Sequence, residues 1–300
     1  MTICYHSIAI TFASRVLLFS SVIVLLCFFA CGSNDHEVSN SAPYTPYDKI
    51  VIHEEITPSD AQQVHWSQSF YFREGQIGES VIEQRFATNS EEFALEAHEK
   101  VSHLDHQVNI ADDSGNKTSY YLDVYGVASE AKRVEASGQI RTYKLDYQLQ
   151  DGKRQLISIK EYIDETLFSS LQLDYHSRPG QLIVWHQIGD EYQQELLIDL
   201  DKNVGFKAIV PPLFLTEIHP LALHVTAMYG KLLGEAWPYI VRVTPTKGTS
   251  GIRNYTYQFT NHGLIESCTE TGAGAMRTLN YTFYPYFWIR TGLIDVYKRV

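Results

Sequence analysis

The 300-residue sequence predicts an all-β protein, an antiparallel meander of repeated hairpins that curves into a barrel-like sheet, with a helical crossover near residues 213–235. Three observations lead there. Apolar and polar residues alternate over most of the chain beyond residue 49. Asp-Gly, Asn-His-Gly and Pro-Gly turn sequences separate the alternating runs. The runs also recur in one form, Leu-Asp-Tyr or a close variant. Alternation with period two places one side-chain set on a buried face and the other on a wet face, the mark of antiparallel strands.

In chain order, the first element is a targeting segment. Arg15 is the only Lys or Arg in residues 1–30, and Val16 to Ala30 runs VLLFSSVIVLLCFFA. That length suits a signal-peptide core and is short for a membrane span of ~20 residues. Phe28-Phe29-Ala30-Cys31 follows and resembles a bacterial lipobox, in which the cysteine is acylated and becomes the N-terminus. The alternative is an uncleaved N-terminal anchor. Cysteine usage favours the lipobox: Cys4 and Cys27 leave with the leader, Cys31 carries lipid, and Cys268 alone remains, so no internal disulfide forms. Two or three acyl chains on Cys31 anchor a protein firmly where one does not. Gly32, the second residue when Cys31 is counted as the first, points to an outer-membrane address, and Asp35 and Glu37 resemble a surface-export signal. Residues 31–48, rich in Ser, Asn, Pro and acids with no periodicity, read as a flexible tether.

Residues 49–287 read as a single β-rich domain. Tyr143, Leu145 and Tyr147 face one way, and Lys144, Asp146 and Gln148 the other. Leu171, Leu173 and Tyr175, then Leu196, Ile198 and Leu200, then Tyr255, Tyr257 and Phe259, then Leu279, Tyr281 and Phe283 repeat the pattern, in runs of about seven residues. Asp123, Asp146, Asp174 and Asp199 recur at spacings of 23, 28 and 25, each at the same place in its unit, which makes the unit a hairpin. We read these aspartates as wet-face residues. One carboxylate per repeat is too few for calcium, which takes six to eight oxygens.

Two stretches depart from alternation. Glu91 to Leu104 places Phe93, Ala97, Val101 and Leu104 at helical spacing, with a strand as the alternative. Pro211 to Pro238 reads as a helical crossover packed on one face of the sheet: Pro211-Pro212 ends a strand, Pro220 suits a first turn, and Leu221, Leu223, Val225, Met228, Leu232 and Leu233 follow. Residues 288–300 form a tail set apart from the domain. Its Leu293 to Arg299 string is either a final strand or resembles translated sequencing adapter that is not native to the chain.

Tests for chemistry give no constellation. The net charge of −11 provides no basic field for nucleic acid. His98-Glu99 with His103 spaces two histidines five apart, whereas a zinc-binding helix needs four. Gly248-Thr249-Ser250-Gly251 misses the nucleophile-elbow spacing. Cys268 reads as a half-buried strand thiol. Asp164, Glu165, Asp190 and Glu191 fall at hairpin turns, where acids serve turn geometry. We therefore expect no catalytic, cofactor or metal residues. The aromatic surplus, with Trp66, Trp185 and Trp288 as candidate ligand contacts, suits stacking on sugar rings or peptide as well as packing between strands.

Together the lipobox, the acidic tether, the Leu-Asp-Tyr strands, the Met228 to Pro238 string MYGKLLGEAWP and the closing pair around Tyr255 to Glu266 and Leu279 to Pro285 resemble Bacteroidota lipoproteins of a domain of unknown function described as having a porin-like fold. The resemblance spans roughly Tyr120 to Tyr284. It implies a meander curved toward a barrel and implies no activity. The expected function is an outer-membrane-anchored, non-catalytic lipoprotein, facing the periplasm or the cell surface, that touches the membrane through Cys31 and binds a glycan, a peptide or an envelope protein. The alternatives are a secreted carboxylate-dependent hydrolase and a membrane β-barrel.

Overall fold

The computed structural model describes residues 47–57, 64–87, 92–150, 152–190, 192–200, 218–234, 240–247, 251–261, 264–272 and 275–285. The leader, Cys31, the tether to residue 46, Pro211-Pro212 and the tail with Trp288 lie outside them.

Among the described residues sixteen antiparallel strands close into one barrel, each paired with its neighbours in sequence. They are β1 (Tyr47–Thr57), β2 (Val64–Arg73), β3 (Gln76–Ala87), β4 (Glu92–Leu104), β5 (Gln107–Asp112), β6 (Lys117–Leu122), β7 (Ala128–Val134) and β8 (Ile140–Gln150), then β9 (Lys153–Ile163), β10 (Thr166–Asp174), β11 (Gln181–Ile188), β12 (Tyr192–Leu200), β13 (Ile240–Lys247), β14 (Arg253–Phe259), β15 (Ile265–Gly272) and β16 (Ala275–Pro285). Closure joins β1 to β16 from Tyr47 opposite Pro285 to Thr57 opposite Met276. Both ends of the chain of strands therefore lie at one rim, called here the terminal end; the other rim is the distal end.

The hairpins follow the turn sequences. Tyr147 stands opposite Leu156 across β8 and β9, and Asp174 opposite Ile183 across β10 and β11. Asp164 and Glu165 occupy the β9–β10 turn with φ of 47° and 69°, a left-handed pair that matches the twist of a two-residue hairpin. Several strands are longer than the expected seven residues: β3 has 12, β4 has 13 and β8 has 11. The wet ends of these strands lack the apolar contrast that made their centres visible. One of the four repeated aspartates is not a strand residue: Asp123 follows β6 and accepts from the backbone N–H of Tyr125 and Val127, capping the turn. Asp174 ends β10 on the wet phase of Gln172, as expected, and also accepts from the backbone N–H of His176 and Ser177.

In the stretch Glu91 to Leu104, expected as a helix with a strand as the alternative, the alternative holds: Glu92–Leu104 is strand β4. Ala97 and Val101 are four apart, a spacing that shares a face in a helix and in a strand alike. Leu104 discriminates: it falls on the opposite strand phase from Val101 and is 61% exposed.

The second correction concerns the helical crossover. The connection from β12 to β13 joins adjacent antiparallel strands, so it crosses nothing. Its described part has a 3-10 turn (Leu221–His224) running into one turn of helix, α1 (Val225–Tyr229). It packs on one face of the sheet, as expected, and that face is the inner one. Tyr229 stacks on Phe70 of β2 at 4.0 Å. Thr226 donates to Glu99 of β4, and the His224 ring meets the Tyr120 hydroxyl of β6 at 2.7 Å. The Leu232 carbonyl accepts from Ala128 N–H at the start of β7 at 2.8 Å, and His219 reaches Glu161 of β9. A segment that touches strands around a closed ring lies inside it.

The plug has a physical necessity. Eight strands enclose a space that side chains fill, whereas sixteen leave an open channel. Ile218, Leu221, Ala227, Met228, Tyr229, Leu232 and Leu233 fill it, joining Ile50, Ile52, Phe70, Tyr143, Leu171, Leu182 and Ile198 in one buried core. Each fully buried side chain of this size contributes ~1.5–3 kcal/mol. The plug's described part runs from His219 at the distal mouth back to Gly234 beside the start of β9. There φ is +90°, and an added Cβ would meet the Arg154 carbonyl oxygen at 2.5 Å, so only glycine fits.

Outside, the middles of the same strands are mainly polar, and exposed apolar residues such as Leu104, Leu149 and Leu167 sit toward strand ends. Lys49, His53 and Glu55 project from β1, Lys144 and Asp146 from β8, Lys160 from β9, and Glu195 from β12, in alternation with buried Ile50, Ile52, Tyr143, Leu145 and Leu196.

Candidate functional site

Two places concentrate chemistry: the distal mouth of the lumen and a platform on the outer wall. At the mouth, β9 turns Glu161 inward on the phase of Ile159, with no exposed surface. Arg141 of β8 donates to it at 2.8 Å and Ser169 of β10 at 2.7 Å; the His219 Nε2 lies 2.5 Å away, and the Tyr143 hydroxyl donates at 3.3 Å. Arg141 also donates to Glu135 at 2.6 Å. Burial pushes the Glu161 carboxyl up, but hydrogen bonds from His219, Arg141 and Ser169 outweigh it and hold the pKa at about 2. Glu161 is thus a fixed anion inside an apolar barrel, paired with Arg141 and hydrogen-bonded to the plug through His219, whose side chain is 28% exposed. An anion so tied is a poor proton donor; it docks the plug.

Two further histidines line the same region. His186 of β11 lies 6.1 Å from the His219 ring, and burial lowers its pKa to about 4, aided by His219. His224, in the plug, is lowered to about 3 by burial and packs edge-on against Tyr143 at 4.4 Å. Its ring is therefore neutral, and we assign the Tyr120 hydroxyl as donor to Nδ1. Deeper in, burial raises the Glu99 carboxyl against the opposing Thr226 hydrogen bond. Its cavity, shared with Asp112, Thr118, Tyr120 and Arg133, holds about 10 Å³, room for about one water and no sugar ring.

On the outer wall, Trp185 projects from the middle of β11 and is 37% exposed. Gln172 of β10 and Glu195 of β12 stand directly opposite it. Ser170, His186, Gln187, Gln193, Gln194 and Lys247 complete a shallow groove of about 170 Å³.

The residues singled out from sequence separate accordingly. Trp66 shares the inward phase of Gln68 and Phe70 and packs against the core, so it and Trp185 stand on opposite faces of the wall. Trp288 and Cys31 lie outside the described residues. His98 and His103 are five apart on β4, so the strand sends them to opposite faces. His98 meets Glu79 and Glu96 outside, and His103 the Ile77 carbonyl. Cys268 is a strand residue, as expected, and fully rather than half buried; burial pushes its thiol up to about 12, which suppresses thiolate chemistry. Glu161, His219, His186 and His224 were not anticipated. Only Glu161 left a signal: it interrupts the series Ile157, Ile159, Ile163 with a charge.

Among solved structures, the chain is similar to a porin-like protein from Bacteroides uniformis, with 28% sequence identity and a TM-score of 0.74 over 81% of this chain and 99% of that one. A porin-like protein from Bacteroides vulgatus matches at 11% identity and a TM-score of 0.47 over 81% of this chain and 100% of that one, too loosely to carry an argument. No protein-family model matches the chain, and no curated protein matches it.

Proposed function

We propose that the chain is a water-exposed, plugged β-barrel held at the outer membrane of a Bacteroidota cell by lipid on Cys31, and that it acts by binding an envelope ligand on its outer wall rather than by catalysis or conduction. One observation carries this reading: the wall bears charges across the middle of its outer face and buries its apolar core inside. A lipid-embedded barrel has the reverse arrangement, an apolar outward band around a polar lumen. Lys132, Lys144 and Glu195 project outward from the middle of their strands. Placing an Arg or Lys at the bilayer midplane costs ~2–4 kcal/mol each. The plug, fastened through Glu161 and His219 and packed by Tyr229 against Phe70, fills the route that a pore would need. The likeness to a porin-like protein from Bacteroides uniformis supports the barrel and its setting. The leader supports the anchor.

The test is extraction. Membranes from cells expressing the full chain or Cys31→Ser are washed with alkaline carbonate, then partitioned in Triton X-114. The expected result is that wild type follows the detergent phase and Cys31→Ser the aqueous phase. Retention of Cys31→Ser in the carbonate-washed membrane would overturn the reading in favour of a spanning barrel.

A further inference from the structure

We propose that the platform around Trp185 is a binding site for a neutral pyranose polysaccharide. The inference rests on the reading above only in needing the wall to face water. It begins with a contrast among aromatic rings on the outer surface. Lys49 lies over Tyr71 at 4.6 Å and over Tyr284 at 5.8 Å. Lys144 lies over Tyr162 at 5.5 Å, and Arg154 over Tyr125 at 4.0 Å. Each of these rings is already capped by a cation. No ring or cation among the described residues covers the Trp185 face, although Lys247 borders the same groove.

What surrounds the indole selects the ligand. Gln172 and Gln193 each offer a carbonyl acceptor and an amide donor, Gln187 an acceptor and the N–H that it does not give to the Gly189 carbonyl, and Glu195 adds an acceptor. One lysine and one carboxylate leave no net charge, so the platform is not built for phosphate or nucleic acid, which need clustered cations. A hydrophobic helix needs a continuous apolar stripe, and here the outward neighbours of Trp185 are amides. A pyranose ring matches both features. Its axial C–H face is apolar and flat and stacks on an indole. Its equatorial hydroxyls donate and accept in the ring plane, where side-chain amides reach them. The groove is smaller than the ~300–1,000 Å³ of enclosed small-molecule pockets, and it is open. It suits one ring of a longer chain lying along the wall. Trp185 provides a large contact area on a rigid strand, so little ordering is needed.

The experiment titrates purified full chain in detergent micelles with maltohexaose, cellohexaose and chitohexaose, read by tryptophan fluorescence and by calorimetry. At least one oligosaccharide should bind. Trp185→Ala should weaken it at least tenfold, Trp185→Phe should retain most of it, and a Gln172→Ala/Gln187→Ala double variant should weaken it several-fold. Melting temperatures should stay near wild type in all of them, because the changes lie on the wet face. No binding to any of the three sugars, or equal binding by Trp185→Ala, overturns the proposal. Binding by a peptide or a polyanion in their place overturns it as well. These failures are distinct from failure of the reading above, which is decided by the phase in which Cys31→Ser is found.

Discussion

The two faces of a single strand show how this protein is organised. Along β8, Tyr143 and Leu145 are buried, while Lys144 and Asp146 between them are exposed. The backbone is the same, and only side-chain phase separates them. Inside, apolar side chains meet the plug, and charges such as Glu161 are held by named partners. Outside, charges stand in water with cations over several aromatic rings. A barrel of sixteen strands has either face available for apolar residues. The plug decides between them, because it gives the inner face something apolar to meet.

The largest expected effect strikes the plug–wall contact. Tyr229→Ala removes a ring stacked on Phe70 and should cost ~3–5 kcal/mol, read as a fall in the urea midpoint. A loss below ~1 kcal/mol would mean that the plug adds little to the inner face, and the contrast between faces would collapse. Glu161→Ala should cost ~2–4 kcal/mol, somewhat less than a fully buried pair because Arg141 and His219 keep partial contact with water. It should also increase hydrogen exchange in residues 218–234, a readout that a merely local defect would not give.

Acid sharpens the comparison. His186 and His224 titrate near pH 4 and 3 in the folded chain, below the 6.5 of a free imidazole. Between these values the unfolded chain binds protons that the folded chain refuses, so stability is fully present above pH 6.5 and falls as pH drops. Each imidazole contributes a slope of about 1.4 kcal/mol per pH unit. Glu161, lowered from 4.5 to about 2, adds to the loss below pH 4.5. Thermal melts at pH 7.5, 6 and 5 should show the decline, and His224→Gln should flatten it; a flat profile in wild type would place these rings in water. The smallest effect belongs to the outer wall. Lys144→Leu should change stability by no more than ~0.5 kcal/mol in aqueous buffer. A large gain on transfer to lipid vesicles would indicate a lipid-facing wall.

Much of the barrel was legible in residue order. Alternation around Tyr143, Leu171, Leu196, Tyr255 and Leu279 marked strands with one dry face, and the Asp-Gly and Pro-Gly turns marked their pairing. Both signals are local, set by backbone geometry within a few residues. Stretch 91–104 misled because an interval of four fits a helix and a strand equally. Of the candidate site, Trp185 was visible as a residue type, but not its place on the wet face among Gln172, Gln187 and Gln193.

Local pattern thus determined that the chain forms amphipathic hairpins and which residues share a face. It did not determine which face of the sheet would point inward once the ring closed, nor where the apolar segment after β12 would lie. Those depend on contacts between residues far apart in sequence. His224 meets Tyr120 across 104 positions, and His219 meets Glu161 across 58. Only closure of the ring brings them together, because a plug and its docking anion exist as a pair in space and have no periodicity to read.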